Sequence, residues 1–157
     1  MKTKRKLTLL ITCILLFAMS VLPVSAAEIP AATTVSDAVV LGTSGSNYFK
    51  GMTSKLSSTG SYVYSNISSG SISADNRSVT SVTVYCRVAS GSDSFRLVVT
   101  SPSGTTKYVS CGTSSATYTI PGFNGEDPKG TWQVGIISNG ISTVTCTLTV
   151  NYDWSYN

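Results

Sequence analysis

Between Val79 and Val88 the apolar side chains fall on alternate residues. Val82, Val84, Cys86 and Val88 share one parity, and Thr83, Tyr85 and Arg87 hold the other. Such a segment buries one face only as a β-strand, because successive strand side chains point to opposite sides. The pattern recurs. Phe95, Leu97 and Val99 share a face within Ser94–Thr100, and Trp132, Val134 and Ile136 do so within Thr131–Ser138. Val144, Cys146, Leu148 and Val150 do so within Thr143–Val150, and Tyr152, Trp154 and Tyr156 keep that parity. Ser61–Ile67, Thr105–Cys111 and Ala116–Ile120 read as further strands, and Ser68–Asp75 as a loop anchored by Ile72. After the first apolar run no window has helical periodicity. The abundance of Thr and Val suits pleated, half-buried surfaces. About seven or eight short strands of this kind predict an antiparallel sandwich or jelly roll.

The turn chemistry agrees. Ser101-Pro102-Ser103-Gly104 fits a type I turn between two strands: Pro presets φ at the second position and Gly suits the fourth. Asp127-Pro128-Lys129-Gly130 repeats that logic just before Trp132, with Asn124-Gly125 as another turn signal upstream.

The N-terminus is of a different kind. Lys2, Lys4, Arg5 and Lys6 precede an apolar run from Leu7 to about Leu22, then Pro23 and the small residues Ser25, Ala26 and Ala27. This is the pattern of a cleaved secretory signal, so a signal peptide is expected over 1–26 and a partly flexible leader over 27–60. The leader's weak periodicity allows one short strand at Ala38–Leu41. The short basic n-region points to a bacterial, secreted protein. Of the 11 basic residues four lie in that n-region, while all 7 acidic residues lie at Glu28 or beyond. The remainder carries seven charges of each sign and no net charge, which excludes a basic footprint for nucleic acid or an anionic membrane.

Of the 4 cysteines, Cys86, Cys111 and Cys146 follow the signal. An odd number in an exported chain leaves one thiol over or pairs it between molecules. Alternatively, all three are buried as small hydrophobes.

Several segments together are specific. SVTVYCRV at 81–88, FRLVVTSPSGTT at 95–106, FNGEDPKGTWQVGI at 123–136 and CTLTV at 146–150 resemble the P domain (P/Homo B domain). That domain accompanies the catalytic domain of proprotein convertases and many bacterial secreted peptidases. The resemblance runs from about Ser78 to Val150, with Asp127, Pro128, Gly130 and Trp132 as its signature. It implies a jelly-roll β-sandwich (galactose-binding-like) over 61–157. It also implies a role in binding or regulating a secreted peptidase or another envelope partner. Proteolysis belongs to the catalytic domain and does not carry over. Two departures stand out. The stretch between the hairpin and FNGEDPKGTW, usually longer and acidic in the family, is reduced here to SCGTSSATYTIPG, at 110–122, with no carboxylate, and Cys146 stands where the family's final strand has Trp. The calcium that acidic positions of the domain bind in some members is therefore not expected here. In such a fold Cys86 and Cys146 are expected on inward faces of neighbouring strands. They become the candidate disulfide, with Cys111 as the free thiol.

The chain has no histidine, which removes Ser-His-Asp and Cys-His catalysis and the usual zinc sites. Glu126 and Asp127 are the adjacent carboxylates. Calcium takes six to eight oxygens, several of them charged, so the expectation is turn residues and no cofactor. Trp132 is expected in the core. Tyr152, Trp154 and Tyr156 are the candidate ligand platform, should the last strand outrun the sandwich. The sequence thus predicts a non-catalytic secreted module, monomeric or a disulfide-linked dimer. The alternative is a structural or adhesive surface protein that binds wall glycan or is cross-linked through Cys111.

Overall fold

A computed structural model of the chain describes residues 43–157. The expected signal peptide, the strand expected at Ala38–Leu41 and the leader up to 42 lie outside the described residues. Nine strands follow: β1 (Ser44–Met52), β2 (Leu56–Ser58), β3 (Val63–Ser68), β4 (Asn76–Val88), β5 (Phe95–Thr100), β6 (Thr106–Cys111), β7 (Ala116–Thr119), β8 (Thr131–Ile137) and β9 (Ser142–Ser155). They form two sheets. The first has the order β1-β9-β4-β7, with β2 also on β9, and the second has the order β3-β8-β5-β6. Every pairing is antiparallel.

The leader expected over 27–60 differs where it is described. β1 pairs with β9 from Ser44↔Ser155 to Met52↔Thr147, and β2 takes over the same edge from Leu56↔Val144 to Ser58↔Ser142. The alternating positions form the core as expected. Val84, Cys86, Leu97, Val99, Trp132, Val134, Ile136, Cys146, Leu148 and Val150 are all fully buried between the sheets. Trp132 meets Phe123 edge-on at 5.2 Å and lies 6.4 Å from Phe49, and its indole N–H donates to the Pro128 carbonyl at 2.9 Å. Truncating a residue so enclosed costs about 3–5 kcal/mol.

Both turns form. Gly104 donates to the Ser101 carbonyl at 3.0 Å and has φ 90°, which a side chain would strain. The Gly122–Trp132 stretch is stitched to β4: Val79 donates to the Glu126 carbonyl and Gly125 to the Val79 carbonyl, each at 2.9 Å. Its anchor on β4 is the bulge between Val79 and Ser81.

Candidate functional site

The acidic pair at 126–127 divides between two structural partners. Glu126 accepts from the Ser103 hydroxyl at 2.7 Å. Partial burial pushes its carboxyl pKa up, but hydrogen bonds from Ser101, Ser103 and Thr105 outweigh that and hold it below the usual range. Asp127 takes a two-pronged contact from Arg77, at 2.9 and 2.8 Å, and accepts from the Lys129 amide at 2.9 Å. The Arg77 hydrogen bonds keep its carboxyl below the usual range against a smaller opposing effect of burial. The two carboxylates therefore fasten the loop, one to the Ser101–Thr105 turn and one to β4.

The three C-terminal aromatics meet at one cavity of about 200 Å³, beside Asn47 and residues 71–74, and are unequally exposed. β1 follows β9 to its end, so the last strand does not outrun its sheet. Tyr152 is buried. Trp154 covers Gly45, where an added Cβ would lie 3.0 Å from its ring, and meets Tyr156 edge-on at 5.5 Å. Tyr156 is half-exposed and pairs its hydroxyl with Ser73 at 3.1 Å.

All three cysteines are buried free thiols. Cys86 and Cys146 stand opposite each other in β4 and β9, with their sulfurs 3.6 Å apart. The Cys146 amide donates to the Thr53 hydroxyl at 3.0 Å, and its carbonyl accepts from the Thr53 amide at 2.9 Å. Both of its main-chain groups point away from β4, so the pair with Cys86 is a non-hydrogen-bonded one. Opposite Cα atoms at such pairs approach to about 4.5 Å, within the span a disulfide accepts. Cys111 is not on the surface. It is the last inward residue of β6, and its proton is held on by a hydrogen bond with Cys86 and by burial.

What the parity reading passed over lies on the outer face of the second sheet. Tyr64, Gly135, Val98 and Tyr108 are in register across β3, β8, β5 and β6. Four strands at the usual spacing put roughly 14 Å between the first and last backbones. Gly135 creates the relief. An added Cβ there would lie 2.6 Å from the Tyr62 ring, 2.6 Å from the Val63 carbonyl and 2.8 Å from Tyr64 Cβ. Tyr62 therefore folds down over Gly135, with Tyr64 stacked behind it at 5.3 Å and 18°. On the far side Tyr108 stands 61% exposed, with the Arg96 guanidinium 5.9 Å from its ring centre. Between them lies a trough of about 390 Å³, floored by Val98 and closed at one end by Thr100, Thr106 and Gln133. Burial, followed by the nearby Tyr64 and Tyr108 phenols, raises the Tyr62 pKa. Tyr62 and Tyr108 present two rings and their hydroxyls to the trough. The sequence did hold a signal. Tyr64, Arg96 and Tyr108 occupy outward parities, and Gly135 interrupts the apolar run from Val134 to Ile137 in a central strand.

Residues 43–157 thus form an all-β, two-sheet antiparallel unit with an aromatic trough on one outer face. No family model matches the sequence, and no curated protein is similar to it. Among solved structures, the crystal structure of FLHE is similar over 69% of this chain and 96% of that one, at 18% identity and a TM-score of 0.49. A protein from Bacillus endospore appendages, which form a family of disulfide-linked pili, is similar over 74% of this chain and 93% of that one. Its identity is 19% and its TM-score 0.43. Likenesses at this level assign neither a family nor a function.

Proposed function

We propose that the chain is an exported, non-catalytic jelly-roll module that binds a polysaccharide through the outer face of the β3-β8-β5-β6 sheet. One observation carries this reading: Tyr62 and Tyr108 flank a trough whose floor is Val98 and whose end is Thr100, Thr106 and Gln133. Sugar rings offer flat C–H faces bordered by hydroxyls. Aromatic faces match the former, and Thr and Gln groups, which both donate and accept, match the latter. The trough is open along its length, which suits a polymer better than an enclosed small molecule. This favours the wall-glycan alternative over a peptidase partner.

The test is retention of the purified chain on insoluble wall polysaccharides, compared with Tyr108→Ala. Tyr108 is exposed on an edge strand, so the variant should fold. Retention of the parent with binding at least about tenfold weaker in the variant, ~1.4 kcal/mol, is the expected result. Equal retention of the two, or recovery of a secreted peptidase and no glycan, overturns the reading.

A further inference from the structure

Arg96 stands at a junction. It lines the tyrosine trough and also a second cavity of about 320 Å³ on the same sheet, bounded by Ser94, Ser110, Ser138 and Asn139. The two cavities follow one another along β5. From Ser94 to Thr100 an extended strand covers roughly 20 Å, so together they form a groove long enough for several units of a linear polymer, with one cation partway along.

That cation is not spent elsewhere. Among the described residues the ion pair found is Arg77 with Asp127. Arg96 lies against Tyr108 and faces no carboxylate on this sheet. Asp93, the nearest acidic residue in sequence, accepts from the Ile141 amide at 3.1 Å. A guanidinium resting on an aromatic ring keeps its planar fork free and is already oriented, and that fork fits a carboxylate with two parallel hydrogen bonds. The remaining lining, of serine, threonine, asparagine and glutamine with the apolar Phe95, Val98, Cys111 and Ile137, adds no charge of either sign.

We propose that the polysaccharide is acidic, a polyuronate-like chain running along β5 with a carboxylate seated on Arg96 and a sugar ring against Tyr108. This rests on the polysaccharide reading above. An acidic peptide is the competing occupant. An extended peptide gains its affinity by main-chain pairing at a sheet edge. The β5 main chain under this groove is already paired on both sides, with β6 and β8, so a peptide lying along β5 would forgo that pairing. The open main-chain edge is that of β6, beneath the Tyr108 wall.

Matched polymers test it: polygalacturonate and alginate, each beside its fully methyl-esterified form, with polyglutamate as a charged chain without sugars. Affinity is read by titration calorimetry on the intact chain. The acid forms should bind at least about tenfold tighter than the esters, ~1.4 kcal/mol, and the difference should shrink with salt. In Arg96→Gln the acid-to-ester ratio should fall close to one. The residues lining the groove include one guanidinium, that of Arg96, and the phenols of Tyr62 and Tyr108, with no carboxylate and no imidazole. The preference should therefore disappear as pH falls through the polymer's own carboxyl range, about 3.5. Acid and ester binding equally, both weakened by Tyr108→Ala, overturns the acidity and leaves the polysaccharide reading standing. Polyglutamate binding as well as the polyuronates overturns the choice of occupant. Binding of no polysaccharide in any form overturns both.

Discussion

On the outer face of the first sheet, Thr147 of β9 lies between Met52 and Tyr85, with Thr117 beyond. On the outer face of the second, Gly135 of β8 lies between Tyr64 and Val98, with Tyr108 beyond. Both are central-strand positions in four-strand rows, and both sheets bury similar aliphatic inner faces. In the first row the centre is filled by a β-branched residue of middling size that belongs to a run with Thr145 and Thr149. The cavity of about 320 Å³ on this sheet lies further along, at Lys55, Arg87, Thr143 and Thr145, with no residue of this row in its lining. In the second the centre lacks a Cβ while the positions around it carry rings. A sheet has little concavity of its own, so a trough on its face comes from contrast in side-chain size within a row. Gly135 between tyrosines supplies that contrast, and Thr147 between Met52 and Tyr85 does not.

The largest effect expected concerns a difference behind these faces. The first sheet holds a facing cysteine pair; among the described residues the second holds none. Oxidising Cys86 and Cys146 to a disulfide closes a loop whose ends are 60 residues apart. In the chain-entropy model that stabilises the fold by about 4 kcal/mol. Denaturant unfolding with and without reductant should show this gap. It should vanish in Cys86→Ser and Cys146→Ser and persist in Cys111→Ser. Polysaccharide binding should be the same in both redox states. If reduction alters binding, the trough is not independent of the first sheet and the comparison fails.

Next comes Gly135→Ala. The new methyl meets the Val63 carbonyl, a backbone atom that cannot step aside, as well as Tyr62 and Tyr64. Overpacking of this kind costs typically about 1–3 kcal/mol. The displaced tyrosines should also remove polysaccharide binding at temperatures where the variant is still folded by circular dichroism. Retained binding would mean that relief at this position does not make the site.

A smaller effect is expected from acid. The Gly122–Trp132 loop joins β7 of the first sheet to β8 of the second, and Glu126 and Asp127 hold it. Both carboxyls sit below their usual range in the folded chain. Their contribution is therefore complete above the unfolded values of about 4 and is lost as pH falls through the depressed folded values. The denaturation midpoint should drop in that window, and Asp127→Asn should flatten part of the drop. Asp127 is half exposed, so solvent screening keeps its share modest. Because the loop belongs to neither outer face, polysaccharide affinity should not change with this loosening while the chain remains folded.

The two faces were not equally legible in the sequence. Inward parity was plain wherever Val, Leu, Ile and Trp alternate with Thr and Ser, because burial acts on each strand separately. β1, with the sequence SGSNYFKGM, gave no such signal. It is an edge strand in which Phe49 alone packs on the core, and its pairing is set by β9, about a hundred residues away. The trough was illegible for a related reason. Tyr62, Arg96, Tyr108 and Gly135 each sit unremarkably in their own segments, and only the register of four strands brings them together. The C-terminal aromatics misled in the opposite direction. Three in a row at alternate positions suggested one platform, but they end up unequal: Tyr152 is buried, Trp154 lies over Gly45 of the unforeseen β1, and Tyr156 stays half-exposed.

The smallest effect is the control that the comparison most needs. Thr147 is half-buried on the outer face of the first sheet, with no hydrogen bond from its side chain among those of the described residues. Replacing it by Ala removes a β-branched residue from a central strand, a change worth under about 1 kcal/mol on measured scales. It leaves the aromatic rows of the other sheet untouched. Thr147→Ala should therefore shift the unfolding midpoint slightly and leave affinity for every polymer in the panel where it was. A loss of affinity here, with the fold intact, would place part of the binding surface on the first sheet. The site would then be defined by something other than the contrast between rings and a missing Cβ, since the Thr147 row has no such contrast to lose.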